Sequence, residues 1–110
     1  MPRKIEAYFL EIESAISEIN GFVKGLDFNT YQSDQKTKAA VERKLMVIGE
    51  ALNQAGKLDA SLENKITDFK KIVSLRNILV HDYFGVDDQL IWDIVQNKLD
   101  ALQKQIGVLN

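Results

Sequence analysis

Apolar residues recur every three or four positions along almost the whole chain, and this spacing is the strongest constraint on its fold. Side chains three and four residues apart share one face of an α-helix. The single proline stands at position 2, so the residue that breaks helices most strongly is confined to the N-terminus. The sequence therefore predicts an all-α fold. Its clearest stripe comprises Ile5, Tyr8, Phe9, Ile12, Ala15, Ile16, Ile19, Phe22 and Val23.

This periodicity predicts four helices, of which the first two fill the N-terminal half. Helix one spans about 3–24, and the residues from Leu26 to Thr30 form a loop. Helix two begins near Ser33 or Asp34, which are both good N-cap residues, and stops at Gly56.

Two further helices fill the C-terminal half. Helix three runs over about 62–81, and helix four opens at Asp87 and Asp88, where carboxylates suit a helix N-terminus. Trp92, on helix four, is expected to have a packing role. Because short connections favour antiparallel neighbours, we expect an antiparallel bundle of four, or up to five, helices.

Length and composition exclude several classes of protein. The 110 residues predict a single domain over 1–110, with no apolar run long enough to cross a membrane. The N-terminus lacks the apolar run of a signal peptide, so a cytoplasmic location is expected. With one histidine and no cysteine, neither a disulfide nor a structural zinc site is expected.

The segment from Arg76 to Tyr83 is the strongest functional signal, because Arg76 interrupts the apolar stripe of helix three. Burying an unpaired charge costs several kcal/mol, so Arg76 must be paired or must face a polar cleft or a subunit interface. Glu50 is a candidate ion-pair partner for Arg76 or Arg43. His81, the only histidine, is either an acid–base residue or a residue favoured by the helix C-terminus.

The pattern Arg76-x4-His81-x-Tyr83 resembles the signature of HepT-like toxins, small helical ribonucleases of the HEPN superfamily. The segment Ile48-Gly49-Glu50-Ala51 resembles the second helix of that family, and the length and helix order are also similar. The resemblance covers essentially the whole chain.

This resemblance implies a metal-independent endoribonuclease that needs no cofactor and acts as a homodimer, with RNA as its substrate. Arg76 would stabilise the transition state, and His81 would move protons. The family also implies a toxin–antitoxin module in which an MNT-type nucleotidyltransferase antitoxin adenylylates the tyrosine that Tyr83 matches. Five residues of helix separate Arg76 and His81 by about 140°, so they converge only in a frayed last turn or with help from a partner subunit.

Several assignments stay open at this point. Asn77 either positions the substrate phosphate or stabilises the helix end, and Tyr83 is either the modification site or a half-buried aromatic residue. Lys36, Lys38, Lys70 and Lys71 either contact the RNA backbone or belong to solvated helix faces. The alternative function is a non-catalytic HEPN binding module that docks a nucleotidyltransferase.

Overall fold

Helices form nearly all of the structure, a computed structural model that describes residues 3–81 and 86–109. A π-helical turn, Ile94–Lys98, joins the last two helices without a break, so that together they form one long helix. The helices are α1 (Ile5–Val23), α2 (Phe28–Ser33), α3 (Gln35–Leu58), α4 (Leu62–Lys65), α5 (Phe69–His81), α6 (Asp88–Asp93) and α7 (Leu99–Leu109). The prediction of an all-α bundle with four long helices is confirmed.

Helix α3 is the central element, because it packs against both α1 and α5. Gly49 of α3 faces Arg76 of α5, whereas Gly56, two turns later in α3, faces Phe69, two turns earlier in α5. The two helices are therefore antiparallel, as expected. The apolar stripes of α1, α3, α5 and the C-terminal helix meet in one core. Among the described residues, no helix combines the length and the apolarity that crossing a bilayer requires.

Helix α2 replaces part of the loop predicted from Leu26 to Thr30, and that prediction is wrong at this point. The Asp27 carboxylate accepts a hydrogen bond from the Thr30 amide at 2.8 Å and so caps the first turn. Tyr31 is fully buried and lies against Trp92, with ring centroids 5.0 Å apart. Phe28 also packs against this indole, with ring centroids 6.3 Å apart. The packing role predicted for Trp92 is confirmed, and its aromatic contacts stabilise α2.

Two helix boundaries also differ from the prediction. Gly56 does not end α3, which continues to Leu58. The Phe69 ring occupies the space that a side chain at position 56 would need, which accounts for a glycine inside the helix. Predicted helix three is divided by an extended residue, Ile66, which is fully buried. The side chain of Gln105 on α7 accepts a hydrogen bond from the amide of Thr67, so the broken turn does not leave that donor unpaired.

The buried face of α5 is rotated slightly from the predicted stripe. The buried residues of α5 are Phe69, Ile72, Leu75 and Leu79. Leu75, rather than Arg76, therefore occupies the middle of the buried face. Val73 is only partly buried. Arg76 therefore lies at the edge of the buried face, next to α3.

Gly49 controls the distance between α3 and α5. A Cβ atom added at Gly49 would overlap the Arg76 Cβ and would lie 3.1 Å from the carbonyl oxygen of Ile72. Gly49→Ala should therefore force the helices apart and lower the free energy of unfolding by about 1–3 kcal/mol, measured by urea denaturation.

Gly21→Ala is the matched control for this substitution. Gly21 lies inside α1 with no neighbouring atom near its Cβ position among the described residues, so alanine should raise the free energy of unfolding by about 0.5–1 kcal/mol. A Gly49→Ala protein as stable as Gly21→Ala would contradict the close approach.

Candidate active site

Arg76 is held by two side chains at the edge of the α3–α5 contact. Its Nη2 lies 2.9 Å from a carboxylate oxygen of Glu50, and its Nη1 donates to the side-chain oxygen of Asn77 at 2.8 Å. The expected partner for the interrupting charge is therefore Glu50. Because an arginine carries five N–H donors, these two contacts leave donors for a further acceptor. The side chain keeps 29% of its surface exposed, so such an acceptor can reach it from solvent.

Glu50 is itself fixed in place. Its other carboxylate oxygen accepts a hydrogen bond from Gln54, one turn later on α3, at 3.0 Å. The carboxylate therefore bridges two side chains, and it orients the guanidinium of Arg76 instead of leaving it to sample many rotamers.

An open groove of about 280 Å³ lies beside Arg76, and we call it the Arg76 groove. Helices α1, α3 and α5 each contribute to it, and its walls combine charged side chains with apolar ones. The residues that line it are Glu11, Arg43, Met46, Val47, Glu50, Arg76 and Val80. Such a groove can accept a charged, extended ligand rather than enclose a small molecule.

His81 is exposed at the last residue of α5 and is not among the residues that line the Arg76 groove. Val80 lines the groove, and the next residue of a helix points about 100° away. Arg76 and His81 are also separated by about 7.5 Å along the helix axis. Since His81 is still helical, a single chain does not bring the two side chains together.

A row of exposed side chains follows the uncovered side of α5, and we call it the outer row. It consists of Lys70, Ser74, Asn77 and His81, which are spaced by four, three and four residues and therefore share one face. Arg76 borders this row on the side of α3. The predicted motif thus lies on a helix face that the rest of the described chain leaves exposed.

The four candidate lysines occupy separate places. Lys70 belongs to the outer row, whereas Lys71 borders an apolar groove with Ile78 and Leu90. Lys36 lies near Phe22 at the start of α3. Lys38 pairs with Asp88 of α6 at 2.8 Å and is only 16% exposed, which makes it the least available of the four for an RNA phosphate.

The Lys38–Asp88 pair belongs to a polar cluster at one end of the bundle. Glu42 lies near it, and desolvation raises the pKa of the Glu42 carboxyl, as does the charge of Asp88, against the opposing effect of Lys38. Burial likewise raises the pKa of the Tyr31 hydroxyl. These contacts tie the start of α3 to the start of α6.

Tyr83 and Asp82 lie outside the described residues, so the proposed modification site has no structural account. Within residues 3–81 and 86–109, histidine and carboxylate side chains do not gather into a set that could hold a metal ion.

Arg43 is a site residue that the sequence analysis did not single out. It precedes Val47 and Glu50 by four and seven residues on α3, so all three lie on the face that lines the groove. That spacing was a signal in the sequence, but only the structure shows that this face of α3 lies beside Arg76.

Comparison with known proteins places this chain in a protein family. A family model described as "Ribonuclease HepT-like" matches residues 12–109. The chain is 31% identical over 109 residues to "Putative RNase MJ1380" of Methanocaldococcus jannaschii, covering 97% of both chains. It is also 32% identical over 103 residues to "Probable ribonuclease HepT" of Thermococcus cleftensis, covering 94% of this chain and 93% of the relative.

A solved structure shares the fold. A chain in the "Crystal structure of the toxin-antitoxin with AMP-PNP" superposes with a TM-score of 0.76 at 23% identity, covering 96% of both chains. This likeness supports the helical architecture over nearly the whole length of the chain.

Proposed function

Because the chain belongs to the HepT-like ribonuclease family, we propose that it is a metal-independent endoribonuclease toxin of a toxin–antitoxin module. Arg76 and His81 are its catalytic residues. The observation that carries this proposal is the position of Arg76, which is oriented by Glu50 at the edge of an open groove and beside the exposed row that ends in His81.

The chemistry of these side chains suits RNA cleavage. In the proposed reaction the ribose 2′-oxygen attacks the adjacent phosphorus, and the bond from phosphorus to the 5′-oxygen breaks. A neutral imidazole accepts the proton of the 2′-hydroxyl, and an imidazolium donates a proton to the departing 5′-oxygen. The free N–H donors of Arg76 stabilise the charge that develops on the phosphoryl oxygens. Asn77, which accepts from Arg76, positions the guanidinium.

A homodimer supplies what one chain lacks. Each chain has one histidine, and His81 points away from the Arg76 groove of its own chain. If two copies meet through their outer rows around a two-fold axis, both histidines and both arginines border one cleft. The outer row carries Lys70, and α5 has no acidic residue, so two copies bring positive charge to this cleft on a protein whose net charge is −2. That charge favours an RNA backbone.

The antitoxin belongs to the same proposal. A nucleotidyltransferase of the MNT type transfers an adenylyl group from ATP to the hydroxyl of Tyr83 and releases pyrophosphate. Tyr83 follows His81 by two residues, so the added phosphodiester places a negative charge and a nucleotide close to the catalytic groups. This group competes with the substrate phosphate and silences the toxin.

RNA cleavage is the first test. The chain expressed alone should arrest growth, and the purified protein should cut RNA in the presence of a chelator. His81→Ala should lower the cleavage rate by about 10²–10⁴-fold and Arg76→Ala by about 10²–10³-fold. Lys104→Ala, an exposed charge on α7, should leave the rate unchanged.

The opposite outcome selects the alternative function. If all of these proteins are folded, leave RNA intact and allow growth, the chain is a non-catalytic module that docks a nucleotidyltransferase.

The dimer can be tested at the centre of the outer row. Light scattering should give the parent protein twice the 12.5 kDa mass of one chain. Ser74 is exposed, so Ser74→Arg should not disturb the core, yet it places two added charges against each other across the axis and should yield monomers. Ser17→Arg, on the exposed face of α1, should remain dimeric. A dimer that persists in Ser74→Arg would place the interface elsewhere.

Modification of Tyr83 has its own test. Co-expression with the cognate nucleotidyltransferase should restore growth and add the mass of adenylyl groups to the peptide that contains Tyr83. Tyr83→Phe should lack this mass and should stay toxic if it still cleaves RNA. Tyr8→Phe should behave like the parent, since Tyr8 is packed against the core at α1. Adenylyl groups on another residue, with growth restored in Tyr83→Phe, would reject this assignment.

A further inference from the structure

Two carboxylates and two guanidiniums line the Arg76 groove, but they are not all paired with one another. Glu50 pairs with Arg76 at 2.9 Å, and Glu11 pairs with Arg3 at 2.7 Å, so each groove carboxylate has its own cation. Arg43 lines the same groove and has no hydrogen bond or ion pair with any residue in 3–81 or 86–109. The groove therefore keeps one positive charge that the described chain leaves uncompensated.

This free charge stands in a suitable place for a long anionic ligand. Arg43 is exposed on α3 and precedes Glu50 by seven residues, a rise of about 10.5 Å along the helix axis. Apolar side chains of Met46 and Val47 lie between them on the groove wall. Arg43 and Glu50, which holds Arg76, are thus two turns apart on the α3 wall of the groove, a spacing that lets one strand place different phosphates near each arginine.

The Glu50–Arg76 pair makes Arg43 more important for binding. Because Glu50 offsets the charge of Arg76, that arginine offers directed N–H donors but little net attraction at a distance. Among the described residues Arg43 has no such neighbour, and its planar guanidinium can hold a phosphate through two parallel hydrogen bonds.

We infer that Arg43 binds a backbone phosphate of the RNA next to the cleavage site and so draws the strand into the Arg76 groove. This inference deepens the proposed function and rests on it for the identity of the ligand. Arg43 contacts the substrate away from the reacting atoms, so it contributes to binding rather than to the chemical step.

Binding can be measured apart from cleavage with a 2′-O-methyl oligoribonucleotide of mixed sequence, which lacks the attacking hydroxyl. The full-length Arg43→Ala protein should bind it roughly tenfold more weakly than the parent. The slope of log affinity against log salt should fall in magnitude by at least about 0.7, the value for one phosphate contact to a single strand. Arg43→Lys should recover the slope and only part of the affinity, because it keeps the charge without the bidentate fork.

Lys57→Ala is the matched control, because it removes one positive charge from the same helix about 21 Å away. It should keep the affinity and salt slope of the parent. Arg43→Ala should also unfold at the same urea concentration as the parent, since Arg43 has no partner among the described residues to lose. With cleavable RNA, Arg43→Ala should raise KM with little change in kcat.

Several results would overturn the role of Arg43. One is a salt slope in Arg43→Ala that equals the slope of the parent. Another is a loss of oligoribonucleotide affinity in Lys57→Ala as large as that in Arg43→Ala. A third is an Arg43→Ala protein that binds the antitoxin more weakly but the oligoribonucleotide as tightly as the parent does. If the parent cuts no RNA but Arg43→Ala still lowers affinity and slope, the cleavage proposal fails while phosphate binding by Arg43 stands.

Discussion

The close approach of α3 and α5 at Gly49 determines the geometry of the candidate site. Without a side chain at this position, the backbone of α3 lies against the Cβ of Arg76 and the carbonyl oxygen of Ile72. The next residue on α3 is Glu50, whose carboxylate reaches the Arg76 guanidinium at 2.9 Å. A small residue that sets the spacing is therefore followed directly by the acid that orients the arginine. This explains why a charged residue can interrupt an apolar stripe without a large energetic penalty.

The fold was predictable from the sequence wherever one apolar stripe faces one core. The stripes of α1 and α3 and of the C-terminal helix lie inward as expected, except that Phe22 near the end of α1 is 38% exposed. Asp34 and Asp87 cap their helices through their side chains. The failures concern contacts between distant segments. Helix α2 packs on Trp92, about sixty residues away in the chain, and Gly56 inside α3 makes room for the Phe69 ring of α5. Local propensity does not contain this information.

The candidate site was predictable from the sequence only where helix periodicity places its residues. The arginine that broke the stripe indicated a partner, and Glu50 is that partner. The exposed position of His81 also agrees with the angle that helix geometry gives. By contrast, Lys38 and Asp88 could not be paired from sequence, because fifty residues separate them. The role of Arg43 in the groove was not predicted, because its spacing from Glu50 indicates a shared groove only once α5 is known to pack beside that face of α3.

The same packing is the reason that the proposed catalytic site requires a dimer. The core of the bundle takes Leu75 and Leu79 from α5, so the polar residues of the motif are turned toward the opposite side. A helix can direct only one face at its own core, and residues 140° apart cannot both stand beside α3. Arg76 therefore remains at the boundary, where Glu50 can fix it, and His81 remains in the open. In the proposed dimer, a second copy across the outer row adds the missing imidazole without adding a residue to the chain. The charge of Arg43, which is unpaired among the described residues, then attracts an incoming strand to the groove.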